Sequence, residues 1–216
     1  MNAAATLRIM ILPACALVAA ALAAWSLAGG RKRLHYAAKP LATGLIIAVA
    51  ALAPAPAPAA YKVLILAGLA CSLLGDIALM FPGKWFTAGL AAFLAAQALY
   101  VLAFRPEPGQ PVPAAVFLSF VLYGLLMFFL LAPGLGPMKL PVLVYVGAIT
   151  TMAGFAAGRF VYRGGTKPLL AFAGAVLFLV SDSVLAYDKF GKKVPAARVI
   201  ILGTYFPAQL LIALSI

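Results

Sequence analysis

The chain has 216 residues, 66% of them hydrophobic and 9% charged, with a mean hydropathy of +1.13. A water-soluble domain of this size could not carry so apolar a composition without aggregating, so the sequence specifies an integral membrane protein with no room for a separate soluble domain. The formal charge of +12 does not mark a nucleic-acid binder, because Lys and Arg fall in short gaps between apolar runs, where they set topology and meet lipid headgroups.

A spanning helix needs about 20 apolar residues, and the apolar runs divide into eight such segments. The first covers 8–28 and is followed by the cluster Arg31-Lys32-Arg33, which opposes a cleaved signal peptide and favours a retained helix. "LPAC" at Leu12 to Cys15 is not read as a lipoprotein box, since Pro13 fits poorly and the apolar run continues. The second span, 39–54, is short, because the Pro-rich "APAPAPAA" of Ala53 to Ala60 cannot continue a helix. The remaining spans are placed at 61–81, 85–104, 113–132, 139–158, 168–187 and 196–215, giving an all-α, single polytopic domain over 1–216. Cys15 and Cys71 both lie inside apolar runs without metal-ligand spacing.

Alternate gaps differ in charge. One side holds Arg31, Lys32, Arg33, Lys39, Lys84, Lys139, Lys189, Lys192, Lys193 and Arg198, and the other holds Arg8, Lys62, Arg105, Arg159, Arg163 and Lys167. Ten against six is expected to leave both termini outside the cytoplasm. The membrane itself is expected to be the inner (cell) membrane of a bacterium.

The chain also resembles itself. "GLACSLLGDIALMF" at Gly68 to Phe81 aligns without gaps on "GAVLFLVSDSVLAY" at Gly174 to Tyr187, setting Asp76 on Asp182. "FLAAQAL" at Phe93 to Leu99 aligns on "YFPAQLL" at Tyr205 to Leu211, setting Gln97 on Gln209, and Lys39 before Pro40 echoes Lys139 before Pro141. The offsets of 106, 112 and 100 residues suggest two four-helix halves of the same orientation, 1–110 and 111–216. Of the four acidic residues, Glu107 and Asp188 fall in or beside loops, leaving Asp76 and Asp182 inside spans. Each lies five residues before the end of its span as drawn, about 8 Å from the same membrane face, so the two carboxyls could share one cavity.

Carboxyls within a membrane are costly and mark function or specific pairing. The residues alone leave three readings open: structural hydrogen bonding between helices, proton- or cation-coupled transport between repeated halves, and acid–base catalysis on a lipid. The single histidine, His35, lies in the first basic loop, so neither a catalytic zinc site nor a Ser-His-Asp triad is expected, and the chain contains no G-x-S-x-G stretch and no phosphate-binding glycine loop.

The segments "KPLATGL" (Lys39 to Leu45), "SLLGDIALM" (Ser72 to Met80), "FTAGLAAFLAAQALYVLAF" (Phe86 to Phe104), "PVLVYVGAITTMA" (Pro141 to Ala153), "GAVLFLVSDSVLAYDKF" (Gly174 to Phe190) and "TYFPAQLLI" (Thr204 to Ile212) resemble, in order, the YhhN family of transmembrane lysoplasmalogenases. One departure is Gln97, where many relatives have a histidine, which puts a proton-carrying role at this position in doubt. The resemblance implies hydrolysis of the vinyl ether bond of a lysoplasmalogen to a fatty aldehyde and a glycerophospho-alcohol, with a lysophospholipid as substrate, membrane lipids as surroundings and no cofactor. It makes Asp76 and Asp182 the acid and base, without saying which is which. Tyr145 and Tyr205 are candidate orienting groups, Lys39 and Lys139 open helices where they could hold the lipid phosphate, and Gln97 and Gln209 could hydrogen-bond across helices.

Overall fold

The computed structural model describes residues 3–54, 58–81, 83 and 85–216, with side chains from Met10 onward. The side chain of Arg8, the centre of the Pro-rich connector (55–57) and Lys84 lie outside the described residues. Eight α-helices are long and apolar enough to span a membrane, and no strand occurs among the described residues. They are α1 (Ala3–Ala28), α2 (Lys32–Leu52), α3 (Ala59–Met80), α4 (Phe86–Phe104), α5 (Ala114–Leu131), α6 (Lys139–Arg163), α7 (Thr166–Phe190) and α8 (Ala197–Leu214). Backbone groups in hydrocarbon find no water to bond, so each crossing closes its own i to i−4 ladder.

Two boundaries differ from the sequence expectation in ways that matter for the site. Helix α2 starts at Lys32, not near Lys39, and runs for 21 residues through Pro40. Its basic opening turns are followed without a break by apolar ones, so Lys39 stands two turns inside the helix and does not open it. Helix α7 extends to Phe190, so Asp182 lies eight residues before its end, while Asp76 lies four before the end of α3. Counted along the axes these are about 12 Å and about 6 Å from the helix ends, so the equal spacing from the span ends expected from the sequence is not found.

The short links impose antiparallel neighbours. α1 packs on α2, α3 on α4 and α7 on α8, while α1 and α2 also meet α8, and α4 crosses α6. Between α6 and α7 the chain reverses on Gly164 and Gly165, whose φ values of 60° and 76° favour residues without a Cβ. The α1–α2 contact is built from small residues, including Ala16, Ala19, Ala23, Ala38 and Ala42. Small residues let membrane helices approach closely, which replaces the missing hydrophobic drive with van der Waals contact. The interior opposite is aromatic: Phe93, Phe178 and Tyr205 meet with ring centroids 5.7 to 6.1 Å apart.

Helix α5 is the outlier. Only 11% of its span is buried, and Leu118, Leu122, Leu126 and Phe129 face outward, as they would toward lipid. It rests mainly on α6 and forms one wall of the largest cavity near the aspartates.

Candidate active site

Asp76 is 1% exposed and takes donors from three other helical positions. Lys39 Nζ lies 3.1 Å from Oδ1 and also donates to the Asp76 main-chain oxygen at 3.3 Å. Thr43 Oγ1 and Tyr205 Oη donate to Oδ2 at 2.6 and 2.8 Å. Lys39 and Thr43 are one turn apart on α2, so both side chains reach the same point on α3. A buried charge is tolerated when it is paired and its remaining lone pairs are bonded, and Asp76 meets both conditions.

Behind Asp76 lies an uncharged relay. Gln209 accepts a hydrogen bond from Tyr100 Oη at 2.8 Å and donates through Nε2 to Ser72 Oγ at 2.9 Å. Ser72 precedes Asp76 by one turn, so this relay ties α3, α4 and α8 beneath the carboxylate.

Asp182 is held differently. Its Oδ2 accepts from Gln97 Nε2 at 3.1 Å and from Tyr145 Oη in a short contact. Among the described residues no donor reaches Oδ1, and no cation pairs with this carboxyl. Asp182 lines a cavity bounded by α3 to α7, whose wall is otherwise almost wholly apolar, with Phe86, Leu90, Phe93, Met127, Ile149 and Leu179 among its residues. Its polar groups are few: Tyr145, Thr150, and the pair Tyr123 and Ser183, joined at 2.8 Å.

The two aspartates are thus brought to one region but are not equivalent. Asp76 is an enclosed ion pair, whereas Asp182 has neutral partners and faces an apolar chamber. Between them stands an aromatic layer: Phe93 lines the chamber and its ring meets Tyr205, the Asp76 donor, edge to face at 5.7 Å. Gly75, next to Asp76, lies against the same ring, where a Cβ would come within 2.7 Å of it.

The other residues singled out in the sequence divide accordingly. Tyr145 and Gln97 contact Asp182, Tyr205 contacts Asp76, and Gln209 serves the relay. Lys39 is 7% exposed with its ammonium directed at Asp76, so it is not turned toward a headgroup as the sequence suggested. Lys139 is exposed at the first residue of α6 and forms no hydrogen bond or ion pair with either aspartate among the described residues. Thr43 was missed, although the K-x-x-x-T spacing within "KPLATGL" is the signal that puts it on the Lys39 face. Tyr123 and Ser183 carried no sequence signal, since their pairing crosses from α5 to α7.

Fold and site together define a polytopic α-helical membrane protein with one ion-paired intramembrane aspartate and a second that opens on an apolar chamber. The chain belongs to the YhhN family, whose model matches residues 34–216. It is 39% identical to the lysoplasmalogenase TMEM86B of Homo sapiens over 165 residues, covering 72% of this chain and 64% of that protein. It is 36% identical to the lysoplasmalogenase TMEM86A of Bos taurus over 156 residues, covering 70% and 64%. Against the membrane protein YhhN of Escherichia coli O157:H7 it is 26% identical over 178 residues, covering 82% and 85%. The chain therefore spans a little under two thirds of the length of the mammalian relatives. No solved structure matches significantly.

Proposed function

We propose that this protein hydrolyses the vinyl ether bond of a lysoplasmalogen, releasing a fatty aldehyde and a glycerophospho-alcohol such as glycerophosphoethanolamine or glycerophosphocholine. The observation that carries this reading is Asp182 Oδ1, a carboxyl oxygen without a protein donor at the wall of an apolar chamber. The relatives named lysoplasmalogenases, at 36 to 39% identity, supply the reaction class.

In this scheme the alkenyl chain lies in the chamber with its C=C–O unit against Asp182. The carboxylic acid gives its proton to the alkene carbon remote from oxygen, and the π pair forms the new C–H bond. The ether-bearing carbon becomes an oxocarbenium ion. Water adds to it, the departing proton returns to the Asp182 carboxylate, and the hemiacetal collapses to aldehyde and alcohol. One water is consumed and the carboxyl is regenerated, as when glycosidase carboxyls serve a similar cation. Asp182 is the acid because no cation faces it, whereas Asp76 is committed as a carboxylate to Lys39. Asp76 acts as a positioning residue: with Lys39 and Thr43 it fixes Tyr205, whose ring backs Phe93 on the chamber wall. Tyr145 and Gln97 hold Asp182 in register.

The orientation proposed with this reading keeps both termini outside the cytoplasm, in the inner membrane of a bacterium. Lys39 is now a buried counter-ion, so it no longer counts as a loop charge, and nine loop-side cations stand against six.

Aldehyde release from a lysoplasmalogen by purified Asp182→Asn tests the reading directly. General acid catalysis contributes about 10² to 10⁴ in rate, so the variant is expected to lose at least that factor while still binding substrate. Activity near wild type would overturn the assignment. The buried Lys39–Asp76 pair also favours a second reading, proton- or cation-coupled transport. Solute-dependent proton flux in proteoliposomes, without aldehyde release, would select it.

A further inference from the structure

At the end of the bundle opposite the C-terminal ends of α3 and α7, the C-terminal turns of α4 and α6 and the link into α5 line a second, basic pocket. It is lined by Arg105, Arg159 and Arg163 against a single carboxylate, Glu107. Glu107 is already taken by Arg163. Arg159 has no carboxylate partner among the described residues: Nη1 donates to the Ala103 carbonyl at 3.2 Å, the guanidinium lies 4.3 Å from the centre of the Tyr61 ring, and Nε is buried without any hydrogen-bond acceptor. Arg159 is half-buried without an anion, and three arginines against one glutamate leave the pocket with an excess of two positive charges.

The pocket adjoins an apolar groove. Pro106 lines both, and from it the groove runs between α5 and α6 along Val112, Phe117, Val121 and Phe155. A charged pocket at the headgroup level joined to an apolar groove at hydrocarbon depth matches one kind of molecule. Guanidinium forks suit phosphate oxygens, and the groove suits a chain attached to that phosphate.

We propose that this protein binds an anionic phospholipid here, with its phosphodiester in the Arg105–Arg159–Arg163 pocket and an acyl chain along the α5–α6 groove, at a site separate from the Asp182 chamber. The lipid supplies the anion that Arg159 lacks and covers the thinly packed α5, so it holds α5 against α6. The site does not depend on what reaction Asp182 performs.

Native mass spectrometry of the full chain, released from micelles containing phosphatidylglycerol or phosphatidylcholine, tests this. Phosphatidylglycerol is expected to be retained in preference, and Arg159→Gln and Arg105→Gln are each expected to lower its retention about tenfold, the scale of one charge-assisted hydrogen bond. Arg105 is exposed, so its variant keeps the test open if Arg159→Gln does not fold. Val121→Trp, which fills the groove, is expected to lower retention with the arginines intact. Equal retention of both lipids, or of phosphatidylglycerol by wild type and Arg105→Gln, would overturn the proposal. Stabilisation by inorganic phosphate equal to that by phosphatidylglycerol, with no effect of Val121→Trp, would assign the pocket to free phosphate and overturn it as a lipid site.

Discussion

Lys39 and Tyr145 occupy corresponding places before the two aspartates. Lys39 contacts Asp76 from 37 residues upstream, and Tyr145 contacts Asp182 from 37 residues upstream. A further donor in each case comes from a helix distant in the chain: Tyr205 of α8 reaches Asp76, and Gln97 of α4 reaches Asp182. The 37-residue spacing recurs while the chemistry does not: an ammonium at one position is a phenol at the other, Tyr205 and Gln97 stand at different places in α8 and α4, and Thr43 donates to Asp76 alone. The ammonium at Lys39, with a phenol at Tyr145, separates an ion pair from a carboxyl with neutral partners.

Removing the ammonium should therefore be costly in stability. Lys39→Met leaves Asp76 buried without its counter-ion, and breaking a buried pair typically costs about 3 to 5 kcal/mol. The variant is expected to unfold at markedly lower temperature in detergent, and Lys39→Met combined with Asp76→Leu should recover much of the loss. A double variant no more stable than Lys39→Met would argue that the pair is not the source of the penalty.

Tyr145→Phe removes one of two donors to Asp182 and little volume. Asp182 becomes a carboxylate as it gives up its proton, and a hydrogen bond to a charged group is worth about 1.5 to 3 kcal/mol, so kcat for aldehyde release should fall about tenfold to a hundredfold. KM should stay within about twofold and thermal stability should change little, since the role is to hold the carboxyl in place. A change confined to KM would instead put Tyr145 in substrate binding.

The chamber itself can be filled. Ala186 of α7 lines it near Phe190, and Ala186→Phe would place a ring where the scheme puts the alkenyl chain. Turnover of long-chain substrates is expected to fall by more than that of short-chain ones when kcat/KM is compared across chain lengths. Equal losses at all lengths would show that the chain lies elsewhere.

Two glycines test the packing. A Cβ at Gly174 would lie 2.8 Å from the Ala208 carbonyl oxygen, which cannot move without shifting α8, while Gly147 has open space around it. Gly174→Ala should destabilise by about 1 to 3 kcal/mol, as overpacking does. Gly147→Ala should be neutral or stabilising by up to about 1 kcal/mol, because alanine is the better helix former. Thermal unfolding of the two variants should shift in opposite directions, or leave Gly147→Ala unchanged.

Apolar run length and composition carried the eight crossings, since a bilayer sets the length of each span and forbids unpaired backbone within it. Asp76 and Asp182 were legible because a carboxyl in such a run is rare enough to be a signal by itself, and Tyr145, Tyr205, Gln97 and Gln209 because polar side chains in spans must find partners. Which partners they find was not legible. Lys39 reads as a loop cation until α2 is seen to begin at Lys32, which carries the ammonium two turns inward to Asp76. Lys139, its echo before a proline, opens α6 and stays exposed. The depth of each aspartate depended on helix ends that run past the apolar stretch, as α7 does to Phe190. The sequence by itself determined how many times the chain crosses and which side chains cannot face lipid. Only the tertiary structure decided that one carboxyl is spent on a lysine while the other meets an apolar chamber, because ion pairing and cavity formation depend on which helices touch, and hydrophobicity alone does not order helices within a bilayer.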